Sequence, residues 1–282
     1  MLGRKQWAKN ADWEKTFREI RHLVPKGELD QLISKTVKDV REKTKGKRAA
    51  YAWSGGKDSL VLGGICQQAG VIPCVLVICN LEYRAFMEWA GAHKPPGLSV
   101  VNTGQDIGWL AAHPQMLFPQ DSKRAAQWFQ IVQHRGQAKY CRENGIGMLL
   151  LGRRKADGNY VGKGGNAYTD RQGVEKYSPL AEWTHEQVLA YIHYHGLEMP
   201  PFYGWKNGYL CGTHPWPARQ WTGSVGNAWA EIYGIDPSIV AGAAGHIQSA
   251  KEFLEALGRP PTDGGIASGQ PPVQAANFTI CR

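Results

Sequence analysis

The hexapeptide Ser-Gly-Gly-Lys-Asp-Ser at residues 54–59 constrains the fold of this chain more than any other feature. It separates a short apolar run at residues 48–53 from a helical pattern at residues 60–69. Two adjacent glycines at such a turn let an anion approach the main chain, and the first amides of the next helix point to the same place. The sequence therefore predicts a phosphate-binding loop between a strand and a helix.

The side chains of this loop fit that interpretation. Lys57 adds a positive charge, and the hydroxyls of Ser54 and Ser59 can donate hydrogen bonds to phosphate oxygens. Asp58 is expected to order the turn or to help place a metal ion. The longer G-x-x-x-x-G-K-[ST] spacing of the Walker loop is absent, so the sequence indicates a different kind of phosphate loop.

The segments around the loop predict a parallel sheet. Residues 73–79 are continuously apolar and β-branched, as in a strand covered on both faces. Strand, glycine turn, helix and strand follow one another within about thirty residues, which is the pattern of a βαβ unit. Further helices are predicted at residues 28–43, 83–92, 125–144 and 184–195, and further strands at residues 98–102 and 147–152.

Changes in composition divide the chain into four predicted regions. Residues 1–47 form a basic helical segment, residues 48–200 a nucleotide-binding domain, residues 201–258 an aromatic-rich and helical subdomain, and residues 259–282 a mobile tail. The first 48 residues hold 14 lysines and arginines against 7 acids, which is +7 of the net charge of +9. This basic layer is either a solvated helix face or a surface for nucleic acid.

The sequence also sets expectations about location and metals. No apolar run approaches the ~20 residues that cross a bilayer, and no signal peptide is recognisable, so we expect a cytoplasmic protein that does not contact a membrane. The six cysteines form no C-x-x-C pair, which favours reduced thiols. Cys211, His214 and three helix histidines (His185, His193 and His195) lack reliable ligand spacing, so no bound metal is predicted from them.

Three later segments accompany the loop: Leu-Gly-Arg-Arg at residues 151–154, Ser-Pro-Leu-Ala-Glu-Trp at residues 178–183, and Pro-Pro-Phe-Tyr at residues 200–203. With them the chain resembles the PP-loop superfamily, and more closely the phosphoadenosine phosphosulfate (PAPS) reductase-like family. The resemblance implies an α/β fold: a mostly parallel, doubly wound sheet of the adenine nucleotide α-hydrolase-like type. An N-terminal helical layer and a C-terminal helical and irregular subdomain complete the expected architecture.

The resemblance also implies roles for individual residues. Arg153 would reach the phosphate or sulfate of the nucleotide, and backbone groups at the end of the second strand would border the adenosine. Lys57, Asp58 and Arg153 are the expected catalytic residues. The expected nucleotide-binding residues are Ser54, Gly55, Gly56, Lys57, Asp58, Ser59, Cys79, Asn80, Leu81, Gly152, Arg153 and Arg154.

The chain departs from the family pattern at its C-terminus. PAPS reductases carry an E-C-G-[IL]-H segment whose cysteine attacks sulfur, whereas this chain ends Phe-Thr-Ile-Cys-Arg. The Cys-Cys and C-x-x-C set of iron–sulfur members is also absent, which argues against an iron–sulfur cluster.

Three hypotheses for the function follow. In the first, the chain binds ATP with Mg²⁺, cleaves it between the α- and β-phosphates, and adenylates an unidentified acceptor. In the second, it reduces PAPS or a related nucleotide, with Cys281 or Cys211 as the thiol. In the third, it senses nucleotides or associates with nucleic acid without turnover. The sequence leaves open whether copies of the chain assemble into a homo-oligomer.

The segment between the strand-end arginines and Ser178 is rich in glycine and polar residues. Residues 155–176 include five glycines, together with Lys163, Arg171 and Lys176 as cations. Such a segment bends at little cost, and its cations suit an incoming phosphate chain. We interpret it as a long hairpin or loop that acts as a lid over the phosphate site.

Overall fold

The computed structural model describes residues 2, 8–220, 222–258 and 279–280. In this part of the chain, seven strands form one sheet. Every neighbouring pair is parallel except the pair formed by residues 167–169 and 175–177, which is antiparallel. The strands are β1 (Ala49–Ala52), β2 (Cys74–Ile78), β3 (Leu98–Asn102), β4 (Met148–Leu150), β5 (Ala167–Thr169), β6 (Glu175–Tyr177) and β7 (Thr279–Ile280).

The strand order confirms the predicted mostly parallel α/β sheet. The strands lie in the order β5-β6-β4-β1-β2-β3-β7, so the direction of the chain across the sheet reverses between β1 and β4. At such a reversal the loops that leave two neighbouring strands diverge and open a crevice at the carboxyl edge of the sheet. The loop after β1 and the arginines after β4 both lie at this edge.

Helices cover both faces of the sheet. They are α1 (Asn10–Arg18), α2 (Ile20–Leu23), α3 (Lys26–Thr44), α4 (Lys57–Ala69), α5 (Arg84–Ala92), α6 (Ile107–Ala112), α7 (Ser122–Trp128), α8 (Arg135–Glu143), α9 (His185–Tyr194), α10 (Gly208–Cys211), α11 (Val225–Ile235), α12 (Pro237–Ala244) and α13 (Gln248–Ala256).

Local sequence signals explain several of these elements. All five residues of β2 are buried, as expected for an unbroken apolar strand covered on both faces. The predicted helix start at Thr184 is confirmed: its hydroxyl accepts from the amide of Gln187, and the Gln187 side chain accepts from the amide of Thr184. This cap places His185 at the first position of α9.

The N-terminal helices pack on the same hydrophobic core as the sheet. Trp13 of α1 and Val40 of α3 are fully buried in the same hydrophobic core that contains the sheet and Leu254 of α13. Residues assigned to the first three predicted regions therefore pack around one continuous core.

Two segments predicted to be flexible contain strands. Residues 167–169 and 175–177 form β5 and β6, an antiparallel hairpin as one of the two sequence alternatives predicted, and this hairpin extends the sheet beside β4. Thr279 and Ile280, predicted to lie in a mobile tail, pair with Ser99 and Val100 of β3. Residues 259–278 and 281–282 of that tail lie outside the described residues. None of the described helices has the length and apolar composition to span a membrane.

Candidate active site

Gly55 gives the phosphate loop its shape. Its φ of +73° lies in the left-handed region, and a Cβ there would be 2.9 Å from Phe86 and from Trp89 of α5. Gly152, at the end of β4, lets that strand approach the loop, because a Cβ there would lie 3.2 Å from the backbone of Asp58. Only glycine fits the first position without strain, and the second leaves little space for a side chain.

The two loop serines hold the loop closed. Ser59 Oγ donates to the carbonyl of Gly56 at 2.9 Å and accepts from the amide of Ser54 at 3.1 Å. The hydroxyl of Ser54 donates to Ser59 Oγ at 3.3 Å. In this arrangement the hydroxyl proton of Ser59 is used within the loop, and its donation to phosphate stays a prediction.

Tyr203 reaches the loop from the Pro-Pro-Phe-Tyr segment. The amide of Lys57 donates to Tyr203 Oη at 2.7 Å. Burial, assisted by the negative charge of Asp58, raises the pKa of Tyr203 far above its ordinary value, so the phenol keeps its proton at neutral pH. The sequence segment was recognised as part of the resemblance, but this contact with the loop was not predicted.

Asp58 and Arg154 form a buried ion-pair network under the loop. The carboxylate of Asp58 contacts Lys57 Nζ through one oxygen and Arg154 Nε through the other, each at 2.7 Å. Arg154 is fully buried and also contacts Asp157 at 2.9 Å and the carbonyl of Trp183 at 3.2 Å. The expected role of Asp58 in ordering the turn is consistent with these contacts.

His185 completes this network as a neutral imidazole. Arg154 Nη2 lies 3.1 Å from His185 Nδ1. Burial, and then the charge of Arg154, lower the pKa of His185 to about 4. At neutral pH the ring therefore accepts a hydrogen bond from the guanidinium at Nδ1.

Arg153 points in the opposite direction, into the cleft. Its guanidinium donates to Tyr168 Oη of β5 at 2.9 Å and lies 3.2 Å from His134 Nε2. Burial, followed by the charges of Arg153 and Lys176, lowers the pKa of His134, so this imidazole is neutral and accepts from Arg153. The two partners hold the guanidinium at the carboxyl end of β4.

A π-helical turn at Phe129–His134 joins α7 to α8 and shapes one wall of the cleft. The sequence predicted an uninterrupted helix here, because hydrophobic spacing does not reveal the extra residue of a π turn. Phe129, Gln133, His134 and Gln137 all line the cleft. Turns of this kind occur frequently at functional sites.

The loop, Arg153 and this wall enclose a cleft of about 300 Å³, a size that suits a small-molecule ligand. The opposite wall comes from the aromatic segment and α10, and it includes the thiol-bearing residue Cys211 and the neighbouring His214. The predicted site residues that line the cleft are Ser54, Gly56, Lys57, Asp58, Ser59, Gly152 and Arg153.

Five predicted nucleotide-binding residues are absent from this lining. Gly55 shapes the loop from behind, and Arg154 is turned beneath it into the ion-pair network. Cys79 and Leu81 are buried at the end of β2, and Asn80 is bonded to Gln105 and Asn102. The contact of the second strand's end with adenosine therefore stays a prediction.

The three helix histidines have protein partners in the structure. His193 accepts from Arg21 at 2.9 Å, and His195 stacks on Tyr191. Within the described residues, no three Cys, His, Asp or Glu side chains are placed to hold a metal ion. For Mg²⁺ the donor chemistry of the loop fits poorly, because both carboxylate oxygens of Asp58 contact cationic side chains.

Glu82, just beyond β2, gives a test of stability against pH. Burial is the main cause that raises its pKa from 4.5 to about 7, while hydrogen bonds from the amide and thiol of Cys79 oppose the shift. The folded state binds this proton more tightly, so stability from Glu82 is present below pH 4.5 and is lost as the pH rises to 7. The shift corresponds to about 3 kcal/mol.

We expect Glu82→Gln to become more stable than the parent protein as the pH rises from 5 to 7.5. Urea unfolding at both pH values measures the change, and Glu88→Gln on the exposed face of α5 is the matched control. An equal pH dependence in the Glu82→Gln variant and the parent protein would contradict the shifted pKa.

The remaining part of the predicted lid, residues 156–166, still borders the cleft through Asp157 and Asn159. We expect hydrogen exchange in this segment to slow when an adenine nucleotide is added, because a bound phosphate chain would order it. Exchange in β5 and β6 should change little, since their amides belong to the sheet. If nucleotide protects the loop at residues 54–59 and leaves residues 156–166 unchanged, the segment is not a lid.

Comparison with known proteins agrees with this arrangement. The family model described as the phosphoadenosine phosphosulfate reductase domain matches residues 48–211, which contain the loop, the strand-end arginines and Tyr203. The chain belongs to this family. The match ends at Cys211, so α1 to α3 and α11 to α13 lie outside it.

Individual relatives are distant in sequence. A phosphoadenosine 5'-phosphosulfate reductase of Vibrio campbellii is 24% identical over 212 residues, which are 74% of this chain and 81% of that protein. One of Xanthomonas axonopodis pv. citri is 23% identical over 188 residues, covering 64% of this chain and 75% of the relative. The PAPS reductase structure of Candida auris in complex with phosphate matches with a TM-score of 0.46 and 17% identity, covering 65% of this chain and 94% of that one.

Proposed function

We propose that the cleft binds PAPS and transfers the sulfonate group of this nucleotide to the thiol of Cys211, in the first half of a reductase reaction. The observation that carries the proposal is the shared lining of one cleft: the phosphate loop, Arg153 and Cys211 all border it. The names of the distant relatives support the same substrate class. Loop amides, the N-terminus of α4 and Lys57 would hold the 5'-phosphate.

The surroundings of Cys211 suit a thiol acceptor. Its Sγ lies 3.5 Å from the carbonyl of Gln220, and the charge of the buried Arg219 acts on the cysteine. The thiolate is the nucleophilic form of cysteine, so Sγ has to lose the proton that it donates to the Gln220 carbonyl before it attacks. Cys211 borders the same cleft as the phosphate loop, so its thiol is the acceptor in this proposal.

The proposed reaction has two steps: transfer of the sulfonate group to Cys211, and release of sulfite by a dithiol reductant. The Cys211 thiolate attacks the sulfur of PAPS; an S–S bond forms, the S–O bond to the 5'-phosphate breaks, and adenosine 3',5'-bisphosphate leaves with the electron pair. Arg153 stabilises the negative charge on the leaving phosphate. One thiolate of a dithiol reductant then attacks Sγ, the S–S bond to the sulfonate breaks, and sulfite leaves with the electron pair. The second thiol of the reductant breaks the resulting mixed disulfide, so the reductant becomes a disulfide and Cys211 returns to the thiol.

Sulfite release tests this proposal. The protein is incubated with PAPS and reduced thioredoxin, and sulfite and adenosine 3',5'-bisphosphate are quantified. The parent protein and Cys141→Ser, whose cysteine lies on α8 outside the cleft, should form both products, whereas Cys211→Ser should form neither. Activity of Cys211→Ser together with inactivity of Cys281→Ser would instead assign the reaction to the tail thiol.

The first sequence hypothesis, ATP cleavage, remains the second candidate because the loop has the Ser-Gly-Gly-Lys-Asp-Ser form that resembles ATP-consuming relatives. It predicts pyrophosphate release from ATP and Mg²⁺, which the same protein preparation can test. Pyrophosphate release without sulfite formation would replace the reductase proposal. Nucleotide binding without either product would favour the sensing hypothesis.

A further inference from the structure

One contact of the phosphate loop comes from a residue outside the family-matched region. Trp13 of α1 is fully buried, and the ammonium nitrogen of Lys57 lies 5.3 Å from the centre of its ring. At this distance a cation over an indole face is attracted by the ring, and the attraction is stronger where water is excluded. Lys57 is itself only 2% exposed, so the contact is desolvated.

Neighbouring rings fix the orientation of Trp13. It stacks on Tyr209 at 4.9 Å with an interplanar angle of 6°, and it meets the edge of His185 at 4.7 Å. His185 is in turn bound to Arg154, which binds Asp58. Trp13 therefore contacts the loop cation, Lys57, directly. Through His185 and Arg154 it is also linked to Asp58, which pairs with Lys57.

Helix α1 is held in place on the wall of the cleft. Asn10 Nδ2 donates to the carbonyl of Trp205 at 2.8 Å, and Asn10 Oδ1 accepts from the amide of Tyr209 at 3.3 Å. These two bonds attach the start of α1 to the segment that leads into α10. A movement of α1 would thus shift Trp13 under the lysine.

We infer that Trp13 is a positioning residue for phosphate binding: α1 uses its indole ring to hold the Lys57 ammonium where it meets the 5'-phosphate of the nucleotide. This inference rests on the proposed binding of an adenine nucleotide at the loop. It makes the N-terminal helix part of the nucleotide site, although the helix lies outside residues 48–211.

A double-mutant cycle tests the inference, with adenosine 3',5'-bisphosphate as the probe and calorimetry as the measurement. Trp13→Leu removes the ring, and we expect it to weaken binding about tenfold. Trp13→Phe keeps an aromatic face and should recover most of the affinity. Phe17→Leu removes another partly buried ring of α1, which packs against His193, and should bind as the parent protein does.

The decisive arm repeats Trp13→Leu in a Lys57→Met background. If Trp13 acts through Lys57, the second substitution should add little further loss of affinity, because the cation it positions is gone. An equal loss in both backgrounds would show a merely structural role and overturn the inference. Parent-like affinity of Trp13→Leu, or failure of Trp13→Phe to recover it, would do the same.

Asn10→Ala provides a second route if Trp13→Leu does not fold. It releases α1 from the cleft wall and leaves the buried ring in the core, and we expect a smaller loss of affinity that again disappears in the Lys57→Met background. A loss that persists there would also overturn the inference. Absence of binding by the parent protein would contradict the proposed function instead, so the two failures are distinguishable.

Discussion

Arg154→Met should lower the free energy of unfolding by about 3 to 5 kcal/mol, the usual cost of removing one partner from a buried ion pair. Arg154 is fully buried and contacts the carboxylates of Asp58 and Asp157. The methionine side chain fills much of the same space and removes the guanidinium from both carboxylates, while Asp58 still contacts Lys57. Urea unfolding at pH 7 measures the change.

Lys155→Met is the matched control for this prediction. Lys155 pairs with Glu182 on the surface, and more than half of each side chain is exposed. Exposed pairs contribute about 0 to 1 kcal/mol, so the control should remain close to the parent protein. Equal stability of the two variants would show that the network under the loop does not hold the fold together.

Lys57→Met should weaken the binding of adenosine 3',5'-bisphosphate by about 1.5 to 3 kcal/mol, the range for a hydrogen bond to a charged group. That range corresponds to about 10-fold to 150-fold in affinity. Asp58 keeps Arg154 as a partner in this variant, so we expect it to fold. Calorimetry measures the affinity, and Lys26→Met on the exposed surface of α3 is the control. Parent-like affinity of Lys57→Met would place the phosphates elsewhere.

Local patterns were sufficient to predict the centre of the fold. The apolar run that forms β2, the glycine turn and the helical period of α4 define the βαβ unit, and β3 was predicted with its observed ends. These elements were predictable because their burial and turn chemistry are encoded in short segments. The convergence of the loop and Arg153 followed from the rule that parallel strands meet ligands at their carboxyl ends.

Other features depend on contacts between distant segments and leave no local signal. Arg153 and Arg154 are adjacent in sequence, but the alternation of an extended chain turns one into the cleft and the other into the buried network. Trp13 lies in a helix whose composition predicts only a basic surface. The strands β5 and β6 have three residues each and no run of aliphatic side chains, so no apolar pattern marks them in the sequence.

The roles of the aromatic residues were also only partly predictable. Clustering of Tyr203 and Tyr209 indicated a packed subdomain, and this packing is present. Their contacts with the loop amide of Lys57 and with Trp13 arise from the folded arrangement. The sequence shows that the region is rich in aromatic residues, while the tertiary structure determines which of their rings reach the site.

The central proposal is tested most directly by a single turnover with PAPS in the absence of a reductant, followed by peptide mass spectrometry. The proposed mechanism predicts that the peptide containing Cys211 gains the mass of one SO₃ group, and that an equal amount of adenosine 3',5'-bisphosphate is released. The adduct should disappear when reduced thioredoxin is added, with release of sulfite. An unmodified Cys211 peptide, after PAPS has been shown to bind, would contradict the proposed sulfonate transfer.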